Sequence, residues 1–471
     1  MRWTAITVPL AALLACSCAA VPPPINPAPP VAPPPPVAAS LVITGVSIVD
    51  PETGTASAPQ DIVISGRDIA AIAPAGALTV PTGTPHLDGA GRFAMPGLID
   101  VHAHLGEGGI VAGSPVGRER TLKQFLRYGV TTIFVPGASG ASDTDFPALR
   151  ENCRSGAIAC PGIFGSASLI TAPGSHPISN IFQMPLDTPA AVIEPLGVTM
   201  LQPGADIPAL VAAKKAAGAD AIKIIVEDGP PPWYPKPRLS DAQVGAITAA
   251  AHALSLPVFA HISTAAHVQV ILDAGVDGIM HSPTDRMPDQ MIRRMAEQRV
   301  WYVPTFALFD GILTWARKQR ESDPYALKGV EPSAIESLTA PPFLAASAES
   351  EAQALGYLAN GSDNIRRAAA AGVPIALGSD VGNPFVYPGY SAHEELSLLV
   401  RAGLTPKQAL HAGTLGAAAF LRSPRVGRLA TGFEADLILL ARNPLDRIEN
   451  SRGIVAVISD GKLVPAPVTA D

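Results

Sequence analysis

Short apolar runs alternate with helical stretches over most of the chain, and this alternation constrains the fold more than any other feature. Runs such as Gly97–Val101 and Pro257–His261 read as buried strands, and stretches such as Ala265–Ala274 have helical periodicity. About eight such units are present, the number expected of a (β/α)8 barrel. We therefore predict an α/β fold with a TIM barrel over residues 93–422. A doubly wound sheet is the alternative, but no glycine-rich phosphate loop follows any of these runs.

Sequence outside the repeated units predicts two additional features. Residues 41–92 and 423–466 are both β-rich and broken by turns, and Asp460-Gly461 is a strong hairpin signal. Each segment is too small to fold alone, so we predict that both chain ends form one small β-sandwich. The stretch Ala307–Ala371 is long for one helix, and we expect it to carry an inserted helical cap.

The N-terminus has the features of an export signal. A basic start is followed by the apolar run Ala5–Ala15, which is too short to span a membrane. The sequence LLAC ending at Cys16 resembles a bacterial lipobox, in which Cys16 is lipidated; simple cleavage within Ala15–Ala20 is the alternative. We predict a signal peptide of lipoprotein type over residues 1–20 and an extended proline-rich linker over residues 21–40. The protein is then expected to be periplasmic or a membrane-anchored bacterial lipoprotein, with the lipid anchor as its only membrane contact.

Charge and cysteine content narrow the partners and the compartment. The formal net charge is −7 and no run rich in lysine or arginine occurs, which argues against nucleic acid as a partner. Cys153 and Cys160 flank the segment RSGAIA. In an oxidising compartment we expect a local disulfide between them, with two buried free thiols as the alternative.

Residue types that bind metals occur in or at the ends of the predicted strands. His102 and His104 follow the first strand with one residue between them, so both side chains point to the same side of the chain. Later apolar runs carry Lys223, His261, His281 and Asp380. The carboxyl ends of barrel strands meet on one face, where active sites lie. Imidazole and carboxylate groups are the usual ligands of catalytic divalent metals, so this pattern predicts a metal-dependent active site.

Several segments resemble the amidohydrolase superfamily, in the branch of imidazolonepropionase-like and Xaa-Pro or Arg/Lys dipeptidase-type enzymes. They are PGLIDVHAHL, YGVTTI, DAIKIIVEDG, VFAHIST, AGVDGIMHSP, ALGSDVG, RAGLTPKQALHAGTLGAAAFL and VGRLATGFEADLILLARNPLD. The resemblance implies the barrel with a small β-sandwich, and a site with two divalent metal ions. One ion would be bound by His102, His104 and Asp380, and the other by His261 and His281. Lys223, carboxylated by carbon dioxide to N6-carboxylysine, would bridge them. A ligand set without cysteine fits zinc, with manganese, cobalt and iron as alternatives.

The resemblance also implies the reaction. A hydroxide that bridges the two metals would attack an amide or peptide carbonyl, while Asp380 moves a proton from the water to the leaving amine. A dipeptide or an N-acyl amino acid is the expected substrate, as a small molecule or short peptide. The alternatives are a lactonase or organophosphate-type esterase on the same metal site, and a non-catalytic metal-binding surface module. A cation in the pocket for a substrate carboxylate would favour the peptide substrate, and an apolar pocket would favour the ester.

Two residues outside the ligand set are candidates for substrate binding. His176, in TAPGSHP, follows the third strand, where relatives place a substrate-contacting histidine; a role in stabilising the loop is the alternative. Tyr234, in PPPWYPKP, lies in the loop after the Lys223 strand and would line the pocket or belong to a packed lid. Ser282 stands where relatives often have glycine, which leaves the substrate open. Because barrels of this family often associate, a homo-oligomer is compatible with the sequence.

Overall fold

Strands and helices alternate through most of the computed structural model, which describes residues 37–105, 115–138, 142–229, 236–317, 325–328, 348–383 and 385–468. The strands are β1 (Leu41–Asp50), β2 (Thr55–Ala56), β3 (Gln60–Ser65), β4 (Asp68–Pro74), β5 (His86–Asp88), β6 (Phe93–Pro96), β7 (Leu98–Asp100), β8 (Val130–Val135), β9 (Gly162–Gly165), β10 (Leu169–Thr171), β11 (Val198–Met200), β12 (Ile222–Ile225), β13 (Val258–His261), β14 (Gly278–Met280), β15 (Trp301–Val303), β16 (Leu437–Leu440), β17 (Ile454–Ser459) and β18 (Lys462–Leu463). The helices are α1 (Pro115–Arg127), α2 (Asp145–Arg154), α3 (Ala190–Ile193), α4 (Ile207–Ala216), α5 (Asp241–Ala253), α6 (Ala265–Ala274), α7 (Asp289–Glu297), α8 (Phe306–Ala316), α9 (Ala348–Ala370), α10 (Tyr390–Arg401), α11 (Pro406–Ala412) and α12 (Leu415–Phe420).

The central part of the chain forms two parallel sheets. Their strand orders are β7-β8-β9 and β11-β10-β12-β13-β14-β15. The segment 375–381 runs parallel to strands of both sheets, since Ile375 bridges to Tyr302 of β15 and Val381 bridges to Ala103. At the other junction the Asp220 N–H donates to the carbonyl of Gly165. The predicted α/β class is confirmed by this arrangement.

The central strands are buried because helices cover them. Every residue of β8 (VTTIFV) and β12 (IKII) is buried, as expected for parallel strands enclosed on both faces. The helices that follow present apolar stripes to the strands; α7, for example, buries Met291, Ile292 and Met295. Helix starts are also well defined: Ser240 and Gln243 form a reciprocal capping box at α5. This framework holds the strand ends in fixed positions.

Both ends of the described chain contribute to one curled sheet. Its order is β18-β17-β16-β6-β1-β3-β4, with β2 and β5 also paired to β1. The long strand β1 changes partner along its length, since Leu41–Ile43 pair with β3 and Ser47 and Ile48 pair with β6. The sheet surrounds its own apolar core, which contains Ile43, Ile62 and Leu437 among others.

The hairpin signal Asp460-Gly461 lies where the sequence predicts it, between β17 and β18. Ser459 pairs with Lys462, so the two residues between them, Asp460 and Gly461, form the turn. Their φ angles are 53° for Asp460 and 72° for Gly461. Two consecutive positive φ angles are the requirement of a type I′ turn, which Asp-Gly satisfies with little strain.

The described part of the predicted helical cap consists of two helices, α8 and α9. Phe309 of α8 and Tyr357 of α9 meet edge to face, with ring centroids 5.7 Å apart. The Glu395 carboxylate on α10 accepts hydrogen bonds from the N–H groups of Phe306 and Ala307, at 3.0 and 2.7 Å. This carboxylate satisfies donors that every helix leaves unpaired at its first turn, and it fixes where α8 begins.

Two remaining predictions concern the compartment. Cys153 and Cys160 are joined by a disulfide, with their Cα atoms 5.6 Å apart. Within the ranges described above, no helix combines the length and apolar character needed to cross a bilayer. The signal peptide, Cys16 and most of the proline-rich linker lie outside the described residues, as does Tyr234.

Candidate metal centre

All six predicted ligand residues line one cavity. His102 and His104 follow β7, Lys223 lies within β12, His261 ends β13, His281 follows β14, and Asp380 ends the segment bridged to β15. His281 and Asp380 have positive φ angles, 80° and 62°. Such angles are unusual for residues with a side chain and occur often at functional sites. The structure therefore brings together the six residues that the sequence singles out.

Asp380 lies at the centre of the first group of potential ligands. Its Oδ1 atom is 3.3 Å from Nε2 of His102 and 3.3 Å from Nε2 of His104. These distances exceed the roughly 2.7–2.9 Å of a charge-assisted hydrogen bond. They fit the separation of about 3.4 Å between two ligands that each lie about 2.1 Å from a tetrahedral metal ion. Oδ1 is buried and has no hydrogen-bond partner among the described atoms, as a ligand atom would in the absence of its ion.

Neighbouring groups orient the ligands. Asp100 accepts hydrogen bonds from the N–H groups of His102 and Ser379, each at 3.0 Å, and so joins β7 to the segment that carries Asp380. His104 donates from Nδ1 to the carbonyl of Gly137 at 2.9 Å. That hydrogen bond places the proton on Nδ1 and leaves the Nε2 lone pair directed at the site. His281 contacts the Thr305 hydroxyl through Nδ1 at 2.9 Å, so its Nε2 is also available.

His102 and His281 are held neutral, which is the form that binds metal. Burial lowers the pKa of His102 and of His281 well below the usual value, and neighbouring cationic groups lower it further. His281 lies near His102, with ring centroids 4.8 Å apart, and can form one group with His102 and Asp380. The arrangement can therefore hold a divalent cation.

Lys223 is buried beside this group. Its Nζ atom contacts Sδ of Met280 at 2.9 Å. Across the described chain, no carboxylate oxygen lies within ion-pair distance of Nζ, and burial lowers the pKa of Lys223 to about 7. A buried amine without a counter-charge is costly to keep protonated. The neutral amine is the form that can react with carbon dioxide.

A second group of potential ligands lies around Glu227, a residue that the sequence analysis did not single out. Its Oε2 atom is 3.1 Å from Nε2 of His261, and its Oε1 atom is 3.4 Å from Nδ1 of His176. Burial alone would raise the pKa of Glu227, but His261, His176 and Lys236 hold it well below the usual value. The available signal was strand alternation, because residues 223, 225 and 227 point to the same side of the chain. His176 also lines the cavity; its contact with a substrate stays a prediction.

Part of the cavity wall is apolar. It includes Ile181 from the loop after β10, Leu308, Phe309 and Ile312 from α8, and Tyr357 from α9. Of the described lining residues, Lys223 is the one lysine, and none is an arginine. No described cation is therefore placed to receive a substrate carboxylate away from the metal-ligand groups.

His393 has a structural position away from the cavity. It is fully buried, donates from Nε2 to the carbonyl of Tyr128 at 2.8 Å, and accepts at Nδ1 from the Ser451 hydroxyl at 3.0 Å. Acceptance at Nδ1 requires the neutral ring. His393 therefore joins α10 to the neighbouring elements and contributes to stability.

The titration of His393 should make stability depend on pH. Burial lowers its pKa to about 4 from the ordinary 6.5. Because the folded state favours the neutral ring, this stabilisation is complete above pH 6.5 and is lost as the pH falls toward 4. We expect a decrease of about 3 kcal/mol in the free energy of unfolding over this window, measured by denaturant titration. A His393→Gln variant should lose less over the same window; an equal loss would contradict this role.

Comparisons with known proteins agree on one family. A model of the amidohydrolase family matches residues 93–464. Ochratoxinase from Aspergillus niger is 24% identical over 407 residues, which cover 79% of this chain and 76% of that protein. An imidazolonepropionase from Anaeromyxobacter sp. (strain K) is 34% identical over 114 residues, 22% of this chain and 26% of that protein. The solved structure of a candidate prolidase from Bifidobacterium longum matches with a TM-score of 0.70 at 26% identity, covering 93% of this chain and 97% of that chain.

Proposed function

The chain belongs to the amidohydrolase family and is a hydrolase acting on carbon–nitrogen bonds. We propose that it uses two divalent metal ions to cleave an amide with an apolar acyl group, and that these ions are zinc. The observation that carries this proposal is the buried, unpartnered Oδ1 of Asp380 between two imidazole nitrogens at 3.3 Å. A site of this composition binds metal readily and is hard to explain as core packing. His102, His104 and Asp380 would hold one ion, and His261 and His281 would contribute to the second.

The bound metal would activate a water molecule and polarise the scissile carbonyl. Asp380 would accept the proton from that water and deliver it to the leaving nitrogen, since its carboxylate is buried and lines the cavity. Lys223, as a carbamate, would supply an anionic group between the ligand sets. The buried, neutral amine of Lys223 is the form from which this carbamate would be made, with release of one proton. His102 and His281, held neutral, would keep their lone pairs available to the metal, and the apolar side chains of the cavity would limit contact with bulk water.

The apolar wall sets the proposed substrate class. The side chains of Leu308, Phe309 and Ile312 can contact the acyl part of an N-acyl amino acid or the side chain of a hydrophobic dipeptide. The absence of a carboxylate-binding cation in the described lining also favours a second candidate function, hydrolysis of a lactone or another ester on the same site. The two candidates share the metal ligands and differ in the bond that is cleaved.

A series of N-acyl phenylalanines tests the substrate class. We expect kcat/KM to rise from the acetyl to the butyryl to the hexanoyl compound, by about fourfold for each methylene that is buried against the wall. Phe309→Ala should flatten this dependence without changing the metal content. Esters with the same acyl groups serve as the comparison. Turnover of the esters alone would favour the second candidate, and turnover of neither would contradict both.

The finer features of the fold and of cellular location are also proposals. We propose that the parallel strands close into a (β/α)8 barrel, which is supported by hydrogen bonds from Val101 N–H to the carbonyl of Leu377 and from Ala376 N–H to that of Tyr302. We propose that the curled sheet is the predicted β-sandwich.

Export as a lipoprotein is supported by the signal-like N-terminus and fits the disulfide between Cys153 and Cys160. Labelling of the expressed protein with radioactive palmitate, compared with Cys16→Ser, tests lipidation.

A further inference from the structure

We infer that Glu227 is itself a ligand of the second metal ion, together with His261 and His176. This inference rests on the proposed function, because it concerns the metal ions that the hydrolase would use. The family resemblance assigns the second ion to His261, His281 and the bridging Lys223, and it assigns no role to Glu227. The structure gives this carboxylate contacts that the resemblance does not account for.

The distances around Glu227 repeat those around Asp380. Each oxygen of Glu227 faces a different imidazole, at 3.1 Å to Nε2 of His261 and 3.4 Å to Nδ1 of His176. The ligand atoms of the three residues all lie within 4.8 Å of one another. Two ligands about 2.1 Å from one tetrahedral ion are about 3.4 Å apart, which is close to each of these carboxylate-to-imidazole distances. Nitrogen and oxygen ligands of this kind suit zinc, cobalt and manganese.

The position of the group also fits a second ion beside the first. Glu227 follows Lys223 by four residues, and its side chain enters the same cavity. The ring of His261 stacks on that of His176 at 4.3 Å and meets that of His281 at 4.4 Å. His261 therefore lies between the Glu227 group and the group formed by His102, His281 and Asp380. The two groups are neighbours in one cavity, as a binuclear site requires.

The competing interpretation is a purely structural carboxylate. Glu227 forms a buried ion pair with Lys236 at 3.0 Å and accepts a hydrogen bond from the Ser263 hydroxyl at 2.6 Å. A carboxylate has about four acceptor positions, so these two contacts leave capacity for a metal ion. The structural interpretation explains Lys236 and Ser263. It also explains His261, whose Nε2 atom lies within hydrogen-bond distance of Oε2 at 3.1 Å. It does not explain His176, whose Nδ1 atom contacts Nδ2 of Asn180 at 3.0 Å and still faces Oε1 at 3.4 Å.

A crystal structure of the zinc-loaded protein tests the inference directly. Anomalous diffraction at the zinc edge should locate two ions, one of them about 2.0–2.2 Å from an oxygen of Glu227. Two ions with both Glu227 oxygens more than about 3 Å from either would overturn the inference and leave the proposed function intact. No ion in protein soaked with zinc would contradict the proposed function itself.

Equilibrium dialysis with Zn²⁺ provides an independent measurement in solution. Glu227→Gln should lower the affinity for the second equivalent of Zn²⁺ by more than about 100-fold and leave the affinity for the first nearly unchanged. Replacing a group that only orients a ligand typically lowers metal affinity by about 10- to 100-fold. Lys236→Met is the matched control, because it breaks the ion pair and keeps the carboxylate; it should retain both equivalents. Binding of the second equivalent within tenfold of wild type in Glu227→Gln would overturn the inference, as would equal weakening in the two variants.

Discussion

Replacing Asp380 by asparagine should reduce kcat by about a thousandfold, within the range that general acid–base groups contribute. Asparagine keeps the size of the side chain and removes the proton acceptor. It also removes the anionic oxygen that faces His102 and His104 at 3.3 Å, so metal affinity should fall as well. Activity is therefore measured with saturating Zn²⁺, on the N-acyl phenylalanine with the best wild-type turnover.

The control for this variant is Asp273→Asn. Asp273 lies on α6, where it is largely exposed and pairs with Arg294 at 2.9 Å. Its replacement should leave kcat within a factor of about two, because exposed pairs contribute little even to stability. A decrease of less than tenfold in the metal-saturated Asp380→Asn protein would contradict the proton-transfer role of Asp380.

Replacing both His102 and His104 by alanine should abolish tight binding of the first metal ion and reduce hydrolysis to the uncatalysed rate. The two side chains supply two of the nitrogen ligands around Asp380, and the remaining groups cannot complete a tetrahedral set there. Metal content is measured by elemental analysis after dialysis, and folding by circular dichroism. His252→Ala is the control, since His252 is 43% exposed and pairs with Asp277 on the outside of the sheet. Retention of metal and activity by the double variant would place the site elsewhere.

The ligand residues could be predicted from sequence because their positions depend on local rules. His102 and His104 share a side of one extended segment, and parallel strands bring their carboxyl ends to one edge. The hairpin at Asp460-Gly461 could be predicted for a similar reason, since its turn demands two positive φ angles. In each case a few neighbouring residues decide the outcome.

Other features depend on contacts between distant parts of the chain. Strand β11 is short and joins its sheet only through β10, and its sequence, VTM, gave no clear signal. Pro288 has an extended ψ of 145° and precedes α7, which begins at Asp289. The apolar wall combines α8 and α9 with the loop after β10, three segments far apart in sequence. Such proximity follows from the assembled fold.

Glu227 illustrates the limit most clearly. Strand alternation places it on the same side as Lys223, but the next residue, Asp228, is also acidic, and composition does not distinguish them. The structure does: Glu227 is buried against His261 and His176, whereas Asp228 pairs with His267 at the start of α6. The distinction comes from where β12 ends relative to β13, which only the paired strands define.

Elemental analysis of the purified protein tests the central claim most directly. After dialysis against metal-free buffer and reconstitution with Zn²⁺, the wild type should contain about two equivalents of metal per chain, the number used by two-metal hydrolytic sites. Lys223→Ala should contain fewer than two, because it lacks the side chain proposed to lie between the ions. No metal in the wild type, after reconstitution with zinc, manganese or cobalt in turn, would contradict a metal-dependent hydrolase.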